Sequence, residues 1–367
     1  MNEKRLEKFR EKILENGLDG VALVPGANLL YLSNIHVHLS ERPIVFFIPV
    51  DDDPAIIIPN LEAAKADDAG IMHERTFSWD DHEGYTAAFH QACAQLELSD
   101  YLLGIEAQNM RVLELELLHR YSPGLTTTHV EPLIMSLRTI KDEFEQKAMR
   151  KAVAVAEQAI ERLIPRIKIG QSEKQIASML IQELMDAGSE ASPFTPIVSA
   201  GPNGAIPHAV PTDRKIQNGD FLVIDWGAVV EDYPSDITRT FAVGAVDAKS
   251  QRIYETVKLA NETAKMSARP GASGQDIDRA ARGVIEDMGY GDHFIHRTGH
   301  GLGLEIHEPP FMMEGNTTPL DPGAVFTIEP GIYIRGKGGV RIEDDVIITS
   351  DGCESLTSFS RDLIQVG

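Results

Sequence analysis

Four carboxylates and one imidazole interrupt segments of this sequence that are otherwise typical of buried β-strands. Asp225 and Asp236 lie in two successive apolar segments, and Glu329 and Glu343 lie in two more near the C-terminal end. His300 lies between the two pairs, within a glycine-rich segment. Carboxylates that converge in an apolar sheet repel one another strongly unless cations lie among them. These five side chains are therefore candidates for a metal site.

Each pair of carboxylates is expected to come together through a β-hairpin. Asp225 continues the apolar face of its strand, because side chains alternate between the two faces of a sheet. A turn-like segment at 230–234 separates this residue from Asp236. The sequence Arg-Gly-Lys-Gly-Gly at 335–339 provides a second turn, between the two glutamates. Two hairpins would thus set the four carboxylates side by side.

The charge of four converging carboxylates would balance two divalent cations. With His300 the ligand set is rich in oxygen and has one imidazole, which favours Mn²⁺, Co²⁺ or Zn²⁺ over ions that prefer soft ligands. Two such ions about 3.5 Å apart can share a hydroxide and polarise a carbonyl, as they do in metal-dependent hydrolases. The spacing of His296 and His300 would also suit a helical site. Glycines at 299, 301 and 303 make a helix there costly, so we expect a strand or an extended loop.

The segments that must position these residues fall into two parts. Residues 1–134 alternate helix-like and strand-like runs, an α/β pattern long enough for one compact domain. Residues 135–367 begin with two amphipathic helices, at about 141–163 and 172–187, and Ser172 is the expected N-cap of the second. Four strand-like segments follow, separated by a helical insert; they are predicted at 220–226, 236–243, 323–334 and 339–349, with the insert at about 248–267 and 274–288. We therefore predict a two-domain protein of the mixed α/β (α+β) class.

Composition limits the possible partners and the compartment. The 34 Lys and Arg residues against 56 Asp and Glu give a formal net charge of −22, which disfavours nucleic acid and anionic lipid as partners. The chain contains no apolar run of about 18 residues, and residues 1–20 are rich in charge, so we expect neither a membrane span nor a signal peptide. Only two cysteines are present, far apart, which is typical of a reducing compartment. These features predict a cytoplasmic protein.

The ordered set Asp225, Asp236, His300, Glu329 and Glu343 resembles the ligand set of the pita-bread metallopeptidases (family M24). That family includes aminopeptidase P, prolidase and methionine aminopeptidase. The flanking blocks are similar as well: Asp225-Trp-Gly, Ser235-Asp-Ile-Thr-Arg-Thr, Gly299-His-Gly-Leu-Gly, Ile328-Glu-Pro-Gly and Val340-Arg-Ile-Glu. Asn28-Leu-Leu-Tyr-Leu and Ser40-Glu-Arg-Pro resemble the creatinase-type N-terminal domain. The resemblance implies a creatinase-type domain at 1–134 and a pita-bread catalytic domain at 135–367.

The resemblance also implies a role for each ligand. Asp225 would bind one metal ion, Asp236 and Glu343 would bridge two ions, and His300 and Glu329 would complete the other. Two divalent ions are implied, with Mn²⁺ favoured and Co²⁺ or Zn²⁺ as alternatives. Glu329 would also act as the general base.

Further residues of the site follow from the same resemblance. His208 would stabilise the oxyanion or hold the proline, and His296 and His307 would line the substrate pocket. Arg341 would orient the site from behind the ligands. Family members often form homodimers, so a homodimer is implied too.

The resemblance implies an Xaa-Pro exopeptidase that acts on proline-containing peptides. Methionine aminopeptidases fit less well, because they usually lack the leading domain and a counterpart of His296. Prolidase is the alternative to an Xaa-Pro aminopeptidase. Some prolidases carry an arginine where this chain has Phe311, and that arginine grips the carboxylate of a dipeptide. Its absence favours the aminopeptidase interpretation and predicts that tripeptides are cut better than dipeptides. The alternative is that another basic residue, from the N-terminal domain or Arg297, replaces the missing arginine.

Two other interpretations belong to different classes of protein. A non-catalytic binding protein can have this fold after losing its metal ligands, and a metal-independent hydrolase would resemble creatinase. The presence of all five ligand residues argues against both.

Overall fold

The computed structural model describes residues 1–367 and divides them into two compact units, Met1–Arg138 and Thr139–Gly367. The predicted boundary between residues 134 and 135 falls inside a helix that belongs to the first unit. Ile134 of that helix is buried, and the Nη1 of Arg138 at its end donates to the Oδ1 of Asn28 at 2.6 Å. These contacts fix the last turn of the helix to the first unit.

The first unit is a six-stranded sheet with helices. Its helices are α1 (Glu3–Glu15), α2 (Ala27–Ser33), α3 (Ala63–Asp68), α4 (Thr86–Gln95), α5 (Val112–Tyr121) and α6 (Glu131–Arg138). Its strands are β1 (Gly20–Leu23), β2 (Val45–Pro49), β3 (Ala55–Pro59), β4 (Thr76–Trp79), β5 (Leu102–Ile105) and β6 (Thr126–His129), in the order β4-β3-β2-β1-β5-β6. Parallel and antiparallel neighbours are mixed, because β2 pairs antiparallel with both β1 and β3 whereas the other pairs are parallel.

The second unit contains four long helices. They are α7 (Glu143–Leu163), α8 (Glu173–Asp186), α9 (Ala248–Ser267) and α10 (Gly274–Asp287). Ser172 caps α8 as predicted. Its side-chain oxygen accepts a hydrogen bond from the N–H of Gln175 at 3.2 Å, and the side-chain oxygen of Gln175 accepts one from the N–H of Ser172. The α7–α8 pair and the α9–α10 pair each contribute buried apolar side chains to a separate hydrophobic core.

The strands of the second unit form two principal sheets and two small hairpins. The strands are β7 (Ile197–Ala200), β8 (Phe221–Trp226), β9 (Val229–Val230), β10 (Tyr233–Pro234), β11 (Ile237–Val243), β12 (Gly299–Gly301), β13 (Glu308–Met312), β14 (Val325–Ile328), β15 (Gly331–Ile334), β16 (Gly338–Arg341), β17 (Asp344–Ile348), β18 (Cys353–Ser355) and β19 (Gln365–Val366). One sheet has the order β19-β11-β8-β7, and the other has the order β13-β12-β14-β17-β18. The first packs with α7 and α8, and the second shares its core with α9 and α10.

The two C-terminal segments predicted as continuous strands are each interrupted. The predicted strand at 323–334 consists of β14 and β15, and the one at 339–349 consists of β16 and β17. The breaks fall at Glu329–Pro330 and at Ile342–Glu343. Proline lacks the N–H that a continuous ladder needs, so the chain leaves one sheet and forms the separate β15–β16 hairpin. Each interruption places a glutamate between two sheets.

Candidate metal centre and active site

A cavity of about 660 Å³ in the second unit contains every site residue that the sequence predicted. Its walls are formed by side chains from both principal sheets and from the loops that follow them. The predicted residues that line it are His208, Asp225, Asp236, His296, His300, His307, Glu329, Arg341 and Glu343. The remaining lining is largely apolar and includes Phe194, Ile197, Ala209, Val210, Ile306 and Met313.

Two adjacent antiparallel strands supply the aspartates. Strand β8 ends just after Asp225, and β11 begins just after Asp236, so the hairpin predicted between them is present. Thr238 lies directly opposite Asp225 in the register. The intervening turn is tight, because Glu231 and Asp232 both adopt positive φ angles of 52° and 70°. This geometry brings both carboxylates to the same end of the strand pair.

The interruptions in the second sheet supply the glutamates. The N–H of Glu343 donates to the carbonyl of Thr238 at 3.0 Å, and the Thr238 hydroxyl donates to Oε2 of Glu343 at 2.6 Å. These two hydrogen bonds connect the two sheets next to the predicted metal ligands. The N–H of Glu329 donates to the carbonyl of Thr298 at 2.7 Å. Each glutamate is thus fixed to a neighbouring strand through its own backbone.

His300 lies in the middle of β12, which confirms the extended conformation predicted for the glycine-rich segment. A Cβ on Gly299 would come within 1.9 Å of the Thr327 carbonyl, so only glycine allows this close approach of strands. The Nδ1 of His300 lies 3.2 Å from the carbonyl of Gly301. With a proton on Nδ1, the lone pair of Nε2 faces Oδ2 of Asp236 at 3.6 Å and Oε1 of Glu329 at 3.5 Å.

The donor set fits divalent metal ions. Ligand atoms of Asp236, His300 and Glu343 lie within 4.8 Å of one another, and all three residues are buried. Oδ2 of Asp225 accepts from Arg341 at 2.6 Å, but Oδ1 of Asp225 is buried and has no hydrogen-bond partner. A buried carboxylate oxygen without a donor is costly, and a cation in the cavity would satisfy it. Oxygen-rich ligands with one imidazole suit such a cation.

The electrostatics of the protein alone favour protonated carboxyl groups in this cavity. Burial and the neighbouring charge of Glu343 raise the pKa of Asp236 well above its usual value, and burial with the same charge acts likewise on the pKa of Glu329. Burial and the charge of Asp225 raise the pKa of Glu343 to about 8. Burial also raises the pKa of Asp225, although Arg341 opposes the shift. Divalent cations would relieve this repulsion and allow all four groups to ionise.

The surroundings of the buried imidazoles favour their neutral form. Burial and the neighbouring His307 lower the pKa of His300 to about 3, and burial lowers the pKa of His296 to about 4. A histidine must be neutral to bind a metal ion, so His300 is ready to act as a ligand at neutral pH.

A hydrogen-bonded chain behind the ligands links Arg341 to His296. Nη1 of Arg341 donates to the hydroxyl of Tyr333 at 3.0 Å, and that hydroxyl lies 2.9 Å from Nε2 of His296. Nδ1 of His296 donates to the carbonyl of Arg297 at 2.7 Å, which leaves Nε2 as the acceptor of the tyrosine proton. Burial raises the pKa of Tyr333 to about 12, so the hydroxyl keeps that proton. Arg341 therefore contacts a predicted metal ligand, Asp225, and is linked through Tyr333 to His296, which is predicted to line the substrate pocket.

His208 and His307 lie at the open side of the cavity, where both are exposed. The rings of His307 and His300 are in contact, with centroids 4.1 Å apart. Both exposed imidazoles are free to contact a bound peptide near the metal ligands. Although His307 is exposed, desolvation by the surrounding protein lowers the pKa of its ring and favours the neutral form.

Three residues that were not predicted from the sequence hold the site together. Thr238 fixes Glu343, and Tyr333 connects His296 to Arg341, as described above. Asp278 on α10 accepts from the backbone N–H and hydroxyl of Thr298 at 3.1 and 2.8 Å, and it pairs with Arg282. Thr238 carried a signal, because it shares a strand face with Asp236. Tyr333 and Asp278 gave none, since their roles depend on contacts between elements that are distant in sequence.

Two family models cover almost the whole chain. The model of metallopeptidase family M24 matches residues 147–350, and the model of the creatinase/prolidase N-terminal domain matches residues 5–140. An Xaa-Pro dipeptidase from Pyrococcus horikoshii is 35% identical over 367 residues, covering 99% of each chain.

Solved structures give the same result at the level of the fold. A prolidase from Thermococcus sibiricus superposes with a TM-score of 0.93 at 36% identity, covering 100% of this chain and 99% of that one. An X-Pro aminopeptidase from Thermotoga maritima superposes with a TM-score of 0.87 at 28% identity, covering 98% and 99%. The predicted combination of a creatinase-type domain with a pita-bread domain is confirmed.

Proposed function

The chain belongs to metallopeptidase family M24 and is a metal-dependent hydrolase, and from this membership we propose that it hydrolyses Xaa-Pro dipeptides. The observation that carries the proposal is the convergence of three buried carboxylates, one partly buried carboxylate (Glu329) and one neutral imidazole in a single cavity. Relatives that match over the whole chain support the dipeptide as substrate, since they are named Xaa-Pro dipeptidases or prolidases. The comparisons therefore favour the prolidase alternative over the aminopeptidase interpretation, which rested on Phe311.

We propose that Asp225, Asp236, His300, Glu329 and Glu343 together hold two divalent ions. When bound, such ions polarise the scissile carbonyl and lower the pKa of water. The protein contributes the orientation of the ligands, through Arg341 behind Asp225 and Thr238 behind Glu343. The ligand roles implied by the family resemblance stay part of this proposal.

Proton transfer is assigned to Glu329. Its Oε1 lies 3.5 Å from His300 Nε2, and burial together with the charge of Glu343 raises its pKa, which strengthens it as a proton acceptor. In the proposed reaction it takes a proton from the attacking water and delivers it to the proline nitrogen as the C–N bond breaks. His208, at the open side of the cavity, donates a hydrogen bond to the developing oxyanion. His296 and His307 bound the space that the peptide occupies.

Hydrolysis of longer peptides is the second candidate function. Phe311 provides no cation where some prolidases have an arginine, and the structure superposes well on an X-Pro aminopeptidase. An aminopeptidase would cut Xaa-Pro-Yaa at least as well as the matched dipeptide.

Three further features are proposals about the protein in solution. We propose Mn²⁺ as the physiological ion, with Co²⁺ or Zn²⁺ as substitutes, and a homodimer as the working assembly. We also propose a cytoplasmic location, which is supported by the two free thiols, Cys93 and Cys353. None of the helices combines the length and the apolar composition needed to cross a bilayer.

The test is a comparison of kcat/KM for matched Xaa-Pro, Xaa-Pro-Yaa and Xaa-Ala substrates with Mn²⁺, Co²⁺ and Zn²⁺ supplied separately. We expect Xaa-Pro to be preferred over Xaa-Pro-Yaa by about tenfold, and Xaa-Ala to be cut far more slowly. A preference for Xaa-Pro-Yaa would establish the aminopeptidase function instead. Failure to cut any proline peptide with any of the three ions would contradict both candidates.

A further inference from the structure

Arg297 is a cation of the cavity wall that contacts no carboxylate, although the charge of Glu329 in the same cavity opposes the lowering of its pKa by burial. It lies next to His296 and Thr298, it lines the cavity together with His307 and Glu329, and it is half-buried. Its guanidinium forms no hydrogen bond and no ion pair with the protein. Its only side-chain partner is the ring of Phe311, whose centroid lies 4.3 Å from the guanidinium carbon.

The other arginines near the cavity are all engaged. Arg341 binds Asp225, Tyr333, Thr238 and the carbonyl of Pro207. Arg282, on α10, pairs with Asp278 through two nitrogen atoms at 2.9 Å each. The donors of both guanidinium groups are thus occupied by hydrogen bonds that stabilise the site. Arg297 is thus the one arginine of the wall whose donors remain available to a ligand.

A half-buried guanidinium without an acceptor is costly, and the missing partner has a defined chemistry. Burial lowers the pKa of Arg297, which shows that the surroundings disfavour its charge. A guanidinium presents its N–H groups as a planar fork, which matches the two oxygens of a carboxylate. The stacking on Phe311 fixes the plane of this fork and leaves its edge free. An anionic group of the substrate is therefore the natural acceptor.

We propose that Arg297 binds the free C-terminal carboxylate of an Xaa-Pro dipeptide and so determines the preference for dipeptides. The proposal rests on the proposed function and names the residue that recognises the end of the substrate. It also accounts for Phe311. This residue lies directly opposite His300 in the β12–β13 register, where the sequence lacks the expected arginine. In this chain the cation comes from the segment before β12, and the phenylalanine supports it.

A different role for Arg297 would be to balance the charge of Glu329. The two side chains line the same cavity and influence each other's pKa. His300 and His307 are the other titratable groups that the charge of Arg297 influences, and burial favours the neutral form of both. If Arg297 acted only on Glu329, its removal would slow the hydrolysis of every substrate by the same factor. Recognition of the carboxylate would instead change the ratio between charged and neutral substrates.

The experiment compares Ala-Pro with Ala-Pro-amide, in which a neutral amide of similar size replaces the C-terminal carboxylate, and includes Ala-Pro-Ala. The metal-loaded wild-type chain and the variants Arg297→Met and Arg297→Lys are measured for kcat and KM separately. Arg252→Met, which removes the same charge from an exposed position on α9, is the matched control.

We expect Arg297→Met to lower kcat/KM for Ala-Pro by about thirtyfold, mainly through KM, because a charge-assisted fork is lost. The value for Ala-Pro-amide should change by less than about threefold, so the preference for the free acid disappears. Arg297→Lys keeps the charge without the fork and should give an intermediate ratio. Arg252→Met should behave like the wild type.

Two results would overturn the assignment. One is an Arg297→Met variant that retains the wild-type ratio between acid and amide, which would indicate a role through Glu329. The other is a wild-type enzyme that cuts Ala-Pro-Ala and Ala-Pro-amide as well as Ala-Pro, which would leave the peptidase function intact and remove the carboxylate site. A wild-type chain inactive on all three would contradict the proposed function itself, and this proposal with it.

A binding measurement covers the case of a variant with little turnover. L-Proline and prolinamide are added separately to the metal-loaded chain, and the shift in unfolding temperature is recorded. Wild type should be stabilised more by proline than by prolinamide, and Arg297→Met should show no difference between the two. An unchanged difference in the variant would contradict the proposal.

Discussion

Burial shifts the pKa values of the two kinds of candidate ligand in the cavity, the carboxyl groups and the imidazole, in opposite directions. It raises the pKa of Asp236, Glu329 and Glu343, and it lowers the pKa of His300 to about 3. Both shifts favour the neutral form of the group, as expected in surroundings of low polarity. A bound divalent ion would instead favour the ionised form of the carboxyl groups, whereas it would bind the imidazole in its neutral form. The residues are thus arranged for cations in a site that is otherwise unfavourable for charge.

Replacement of Asp236 by Asn should lower metal affinity and turnover together. The substitution preserves shape but removes one charge from the three ligands that lie closest together. We expect a loss of at least about tenfold in each quantity, measured by metal titration and by kcat/KM on an Xaa-Pro dipeptide. Asp321→Asn, at an exposed position, is the control for the loss of charge. Near wild-type values for both quantities would show that Asp236 is not a ligand.

Replacement of Tyr333 by Phe tests the chain of hydrogen bonds behind the ligands. The hydroxyl joins Arg341 to His296, and its removal leaves Nε2 of His296 buried without a donor. We expect kcat/KM to fall by about tenfold to a hundredfold while metal content is unchanged, because the tyrosine touches no metal ligand except through Arg341.

The control for that variant is Tyr290→Phe, since the hydroxyl of Tyr290 bonds to no other residue of the chain. It should retain wild-type activity. Equal activity of the two variants would indicate that the Tyr333 hydroxyl does not position His296.

At the scale of elements, the approach of β12 to β14 sets the position of His300. An alanine at 299 would place its Cβ 1.9 Å from the Thr327 carbonyl, so the strands would have to separate. We expect Gly299→Ala to lower the free energy of unfolding by about 1–3 kcal/mol and to weaken metal binding. Chemical denaturation and metal titration measure the two effects.

Gly283→Ala provides a control of opposite sign. This glycine lies within α10, and an added Cβ would meet nothing within 4 Å. Alanine should therefore stabilise the helix by about 0.5–1 kcal/mol. If Gly299→Ala were as stable as the wild type, the strand spacing would not depend on glycine.

Sequence patterns within single helices and strands predicted most of the second unit, Thr139–Gly367. The helices at 143–163, 173–186, 248–267 and 274–287 follow amphipathic runs with capping signals, and the β8–β11 pair follows from alternation around a turn. The sequence did not predict that the strands themselves break at Glu329 and Glu343, because each break depends on which sheet each half of the segment joins. Arg297 was one of the basic residues that could replace the missing arginine, but its lack of an ion-pair partner could not be predicted, since that is a property of the packed cavity.

At the scale of the whole molecule, the repulsion in the cavity makes the stability of the metal-free protein depend on pH. Folded-state pKa values raised above the unfolded values mean that folding retains protons that the unfolded chain releases. Stability therefore falls as pH rises through the folded pKa, which for Glu343 is about 8. The lowered pKa values of the buried histidines act in the opposite direction, but only below the unfolded histidine value of about 6.5.

Between pH 7 and pH 8 the pH dependence of stability therefore reports the carboxyl groups without the histidines. The chelated protein should lose about 1.4 kcal/mol of unfolding free energy per pH unit for each proton retained. The metal-loaded protein should show little change, because its carboxylates are already ionised. Urea unfolding at pH 7 and 8, with and without chelator, measures both slopes. A metal-free protein that gains stability across this window would contradict the assignment of raised pKa values.

The central claim is that this chain hydrolyses Xaa-Pro dipeptides only when divalent ions fill the carboxylate cavity. The most direct measurement is the rate of Ala-Pro hydrolysis by metal-stripped protein during titration with Mn²⁺, with bound metal determined at each point. We expect no activity in the stripped protein and a rate that rises to a plateau at about two ions per chain. Full Ala-Pro hydrolysis by the metal-free protein would contradict it.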